Sequence, residues 1–195
     1  MKNIITTISL LLIIFATSVT GQSCLPEGIT FTTQEQVDNF QADYPGCTEI
    51  EGFVQIGDGE APTNISNLEG LSSITYIGGD LSFDFNELLT NMEGLNNLDS
   101  VGGYLSFYGN TSFINFQGFD NLVSIGGIYM FLNPLSSFEG LEQLLVIKDD
   151  ISIIDIWGVE NFNGLENLTS INGGIYLAQM DEFTSLNGLE SLTHI

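Results

Sequence analysis

Arginine is missing from this 195-residue chain altogether, and lysine occurs only at Lys2 and Lys148. Nucleic-acid partners require such cations to neutralise phosphates, so that class is excluded. Docking onto anionic lipid headgroups is disfavoured for the same reason. Histidine occurs once, at His194, which leaves a Ser-His-Asp or Cys-His arrangement without a sensible base. The two cysteines, Cys24 and Cys47, lack any zinc-ligand spacing. No apolar run reaches the about 20 residues that a membrane span needs. Gly-Gly pairs recur, but none has the lysine or the strand-to-helix setting of a phosphate loop. Paired carboxylates of the kind solenoid glycosidases use are uninformative in a chain with 25 acidic residues. The expectation is a protein that is not an enzyme and uses no cofactor; a carbohydrate-active solenoid enzyme is the remote alternative.

What is present begins with a leader. Residues 1–21 read as a secretory signal: Lys2 supplies the positive start, residues 8–16 the apolar stretch, and Val19-Thr20-Gly21 a small-residue cleavage site. Its removal leaves one lysine against 25 acids, a formal charge of −24, which reads as solubility outside the cell. In an exported chain the pair Cys24 and Cys47 is most simply a disulfide. A lipoprotein reading of Cys24 is the alternative, although Gly21 stands where that signal wants a Leu-like residue. Between the cysteines, Thr32 and Thr33 followed by Glu35 and Gln36 make capping-box patterns. Val37, Phe40 and Tyr44 fall on one helical face, and Pro45-Gly46 ends the helix. Residues 22–49 are thus expected to form a disulfide-stapled cap with a short helix, with the first strand directly after Cys47.

The rest of the chain repeats. Anchor glycines stand at Gly70, Gly94, Gly118, Gly140, Gly164 and Gly188, in steps of 24, 24, 22, 24 and 24 residues. Relative to each anchor, the positions five and two before, and one, four and seven after, are apolar in every copy; the copy at Gly94 has Leu89, Met92, Leu95, Leu98 and Val101. Self-similarity at this period means stacked turns. Apolar residues every third position drift off any helix face and do not match the period of a strand. After a Gly-Gly pair (Gly78-Gly79, Gly102-Gly103, Gly126-Gly127, Gly173-Gly174) the period changes to two. The expected fold is a β-solenoid with one short parallel strand per turn of about 24 residues, each strand followed by an irregular arc.

Alternation along those strands assigns their faces. Leu81 and Phe83, Leu105 and Phe107, Tyr129 and Phe131, Ile151 and Ile153, and Ile175 and Leu177 are expected to point inward. The outward set is then Asp80, Ser82 and Asp84; Tyr104, Ser106 and Tyr108; Ile128, Met130 and Leu132; Asp150, Ser152 and Ile154; Gly174, Tyr176 and Ala178. An apolar, aromatic patch with a polar rim marks an interaction surface. The candidate binding residues are Tyr104, Tyr108, Ile128, Met130, Leu132, Ile154 and Tyr176. The competing reading lays a loop over this face, the Ile156-Trp157 insertion being the candidate. A polar ladder precedes the anchors (Glu69, Glu93, Gln117, Glu139, Asn163, Asn187). Calcium bridging Glu69 and Glu93 is one reading and a solvated edge the simpler one. Asn86 and Asn110 are expected to hydrogen-bond corner backbone.

The pattern Ile-Gly-Gly-x-Leu-x-Phe, followed by Leu-x-x-Leu-x-Gly-Leu-x-x-Leu-x-x-Ile, resembles the receptor L domain, a relative of leucine-rich repeats. The opening Phe-Thr-Thr-Gln at residues 31–34 and Tyr-Pro-Gly-Cys at residues 44–47 is similar to that of secreted bacterial surface proteins built from such turns. The resemblance covers residues 31–195 and implies a right-handed solenoid used for recognition, with no catalytic residues. As a departure from the family, no cysteine-rich module, kinase or C-terminal sorting or anchoring domain is expected among these 195 residues. Function is expected to be recognition or adhesion at the cell surface or in secreted form, binding a protein or glycan through the outward sheet face. A structural spacer in a longer adhesin is the alternative. The repeats of residues 50–195 stop at Ile195 within a sixth copy, so an uncapped or truncated end is expected, completed by further repeats or by an end-to-end dimer.

Overall fold

A computed structural model describes residues 22–195; the secretory leader expected at residues 1–21 lies outside them. The described chain winds into a parallel β-solenoid of about seven turns, and each turn adds one strand to each of two sheets. The strands alternate between the sheets along the chain. A narrow sheet holds β1 (Gln22–Cys24), β3 (Cys47–Ile50), β5 (Tyr76–Ile77), β7 (Ser100–Val101), β9 (Ser124–Ile125), β11 (Val146–Ile147) and β13 (Ser170–Ile171). A broad sheet holds β2 (Ile29–Phe31), β4 (Val54–Ile56), β6 (Leu81–Asp84), β8 (Tyr104–Tyr108), β10 (Gly127–Asn133), β12 (Ile151–Ile156) and β14 (Ile175–Ala178). One strand per turn was therefore too few. The second strand consists mostly of the two residues that end each arc, such as Tyr76 and Ile77, and two residues are too short to display an alternation.

The every-third-residue pattern is the core. All five apolar positions are buried in the first five copies, from Ile65 through Ile171. In the sixth copy Phe183, Leu189 and Leu192 are only partly covered, while Leu186 and Ile195 are exposed. Phenylalanines link successive turns: Phe83 stacks on Phe107 at 4.8 Å, Phe116 on Phe138 at 5.9 Å, and Phe162 meets Phe183 edge-on at 5.1 Å. A single turn would leave both flanks of these rings in water, which is why the unit is stable only when stacked.

The anchor glycine has a steric cause. Gly94 has φ +107, and a Cβ there would stand 2.2 Å from the Leu68 carbonyl carbon of the preceding turn. The backbone N–H just before the anchor is held by a side chain two residues earlier: Asn67 for Glu69, Asn91 for Glu93 and Asn161 for Asn163. Such local side-chain bonds fix the turn that aims the next apolar residue inward.

The first turn differs from its expected form. Strands β1 and β2 precede the helical segment and pair with β3 and β4, so solenoid strands begin before Cys47. The expected helix is two, α1 (Gln34–Asp38) and α2 (Phe40–Asp43), separated at Asn39. Thr33 and Gln36 make the capping box at α1, Val37 and Phe40 are buried, and Tyr44 is exposed. Cys24 and Cys47 form a disulfide that joins the first two turns, with 5.8 Å between their Cα atoms.

Candidate ligand-binding face

The outward face of the broad sheet is set by strand register. Its middle row runs Thr30, Gln55, Ser82, Ser106, Tyr129, Ser152, Tyr176, each paired with the next. The row toward the strand ends runs Asp84, Tyr108, Phe131, Ile154, Ala178. Ile128 and Met130, expected in this face, are fully buried, and Tyr129 and Phe131, expected inward, stand outward. The cause is a corner one residue short. Four residue steps separate the inward pairs Ile77 and Leu81, Val101 and Leu105, and Ile147 and Ile151, but only three separate Ile125 from Ile128. The strand after that corner starts one residue sooner and its faces exchange.

The remaining candidates lie on or beside the face in different settings. Tyr104 crosses over Gly127, where a Cβ would lie 2.4 Å from its ring. Burial and the neighbouring Asp149 carboxylate raise the Tyr104 hydroxyl above its ordinary pKa. Tyr108 is clasped by aromatic neighbours, stacked on Phe131 at 5.5 Å and edge-on to Phe85 at 4.7 Å. Ile154 continues that ridge, half-buried beside Phe131. Leu132 occupies a corner with φ +58, in line with Phe85, Gly109, Asp155 and Gln179 of other turns. Tyr176 is the most open tyrosine at 59% exposure, with Tyr129 at 39%. Trp157, which the competing reading would lay over the face, is itself 43% exposed, and Ile156 is buried as the end of β12.

The acidic residues of the rim are employed in the fold. Asp80 accepts the Tyr104 N–H at 2.7 Å, and Asp150 accepts the Gly174 N–H at 2.6 Å, each 24 residues on. Asp84 accepts from the Gln55 amide at 3.1 Å; burial raises its carboxyl pKa and that hydrogen bond offsets part of the rise. Below the face runs a buried asparagine ladder. Asn86 donates to Ile56 O, Asn110 to Phe83 O and Asn133 to Phe107 O, at 2.8 to 3.0 Å. Asn110 and Asn133 also accept the backbone N–H of the preceding asparagine at 3.0 Å. Asn133 escaped the sequence reading, although its spacing of 23 from Asn110 carries the same one-residue shift as β10.

Among the described residues no group of three or more His, Cys, Asp or Glu is placed to hold a metal ion. In the ladder before the anchors, Gln117 donates to Glu139 at 2.9 Å. A cleft of about 190 Å³ lies at the β2 edge, lined by Ile29, Thr30, Phe31, Gln36, Asp43 and Tyr44, well away from Tyr129 and Tyr176. No helix of the described residues is long and apolar enough to cross a membrane. No family profile, curated protein or solved structure matches the chain.

Proposed function

We propose that this chain is an exported recognition module that binds a protein or glycan through the outward face of its broad sheet. The observation that carries the reading is the pair Tyr129 and Tyr176, two exposed rings on the sheet with Ser152 between them and Ser106 beyond Tyr129. Tyrosine with serine is the composition of binding surfaces that combine rigid amphipathic contact area with adaptable hydrogen bonding. The disulfide, together with the secretory leader expected at residues 1–21, supports export to an oxidising compartment. The receptor L-domain resemblance agrees with this use, and α1 and α2 serve as the cap of the first turn. The test is a glycan array and a peptide array probed with the purified protein and with its Tyr129→Ser, Tyr176→Ser double variant. Ligands retained by the native chain and lost by the folded variant are expected. An array without a face-dependent ligand favours the spacer role instead.

A further inference from the structure

We infer that the slot floored by Ser152 and walled by Tyr129 and Tyr176 takes a cationic side chain, a guanidinium or an ammonium, from a basic segment of a partner protein. The inference rests on the recognition reading and adds the charge class of the partner. Register supplies the geometry: Ser152 pairs with Tyr129 on one side and with Tyr176 on the other. The two tyrosines therefore rise two rungs apart, roughly 9–10 Å, with only a serine between them. Both rings are open to solvent. One flank of the slot is Ile154, which suits the aliphatic stem of a lysine or arginine. The other is Asp150, which uses Oδ1 to accept the Gly174 N–H. Aromatic faces attract cations, and a carboxylate beside them adds a charge-assisted partner.

The charge of the whole chain points the same way. From Gln22 onward Lys148 is the one lysine or arginine against 25 acids. This field steers a basic partner toward the surface and repels an anionic one. A sugar stacked on the tyrosines is the competing occupant, and the experiment separates the two.

Octa-arginine is titrated into the purified protein by calorimetry at near-physiological salt, then at higher salt. The Tyr129→Ser, Tyr176→Ser variant keeps the net charge and is expected to bind about fivefold more weakly or worse. Tyr176→Phe, which keeps the ring, and Tyr76→Ser, on the narrow sheet, are expected to bind as the native chain does. Native affinity should fall as salt rises. Equal affinity in the double variant and the native chain would mean diffuse attraction to the acidic surface and would overturn the inference. Absence of octa-arginine binding would overturn it as well. Cellohexaose binding that is lost in the double variant, without octa-arginine binding, would overturn the cationic class while leaving the recognition reading in place.

Discussion

Strands β8 and β10 lie side by side in the broad sheet, and each is reached through a Gly-Gly corner, yet they turn opposite members of that motif toward the core. In β8 the third and fifth residues beyond Gly102 point inward, Leu105 and Phe107; in β10 the second and fourth beyond Gly126 do so, Ile128 and Met130. Pairing places Ile128 on Leu105 and Met130 on Phe107, so the inward columns stay continuous while the glycines fall out of line. The Gly126 N–H reaches both Val101 O at 3.1 Å and Gly103 O at 2.8 Å, spanning the lost residue. Tyr104 covers the gap above Gly127. Continuity of the buried column outranks alignment of the corner, because an inward polar or outward apolar column carries a penalty along the whole strand, whereas a corner is local.

Opposite substitutions in β10 probe this difference most strongly. Met130→Asp places an unpaired carboxylate in the core and is expected to cost about 4–5 kcal/mol or more, whereas Tyr129→Asp should stay within about 0.5 kcal/mol. Urea unfolding of both variants measures the contrast, and similar losses would break it. Asn110→Ala tests the ladder that keeps β8 and β10 in step. It strips the partners of the Asn86 N–H and the Phe83 carbonyl, each worth about 1–3 kcal/mol when buried and unsatisfied. A near-neutral result would show that corner asparagines do not hold register.

The smallest effect lies at the rim. The folded state raises the Asp84 carboxyl above its ordinary pKa, so it binds that proton more tightly than the unfolded chain does. The resulting penalty is present at neutral pH and disappears as pH falls through the raised value toward the ordinary carboxylate range. Asp84→Asn should therefore raise stability at pH 7 by about a few tenths of a kcal/mol after solvent screening. The gain should shrink toward pH 4, as followed by unfolding midpoints; a gain independent of pH would remove the carboxyl from the explanation.

The core was legible from the sequence because three-residue spacing survives every change of turn length, from Ile65 to Ile171. The broad-sheet strands were legible wherever four residue steps separate their inward residues from the arc. The exception is also written in the chain, as the 22-residue step from Gly118 to Gly140. One residue is lost at the Gly126-Gly127 corner and a second between Asn133 and Leu135. Aligning the chain on glycines hid the first loss, while the columns Leu105, Ile128, Ile151 and Asn86, Asn110, Asn133 would have exposed it. The narrow sheet left no comparable trace, since its two-residue strands from β5 to β13 carry one inward residue each, which has no period. Nor does spacing show that Asp80 and Asp150 each accept a backbone N–H from the next turn.

The outward placement of Tyr129 decides whether the proposed face exists. Both native cysteines are joined in the disulfide, so a single introduced cysteine reports its own accessibility. Maleimide labelling of Tyr129→Cys and Met130→Cys, followed by mass spectrometry under native conditions, makes the comparison directly. Rapid labelling is expected at position 129 and none at position 130 until the protein is unfolded. Protection at 129 with labelling at 130 would contradict it.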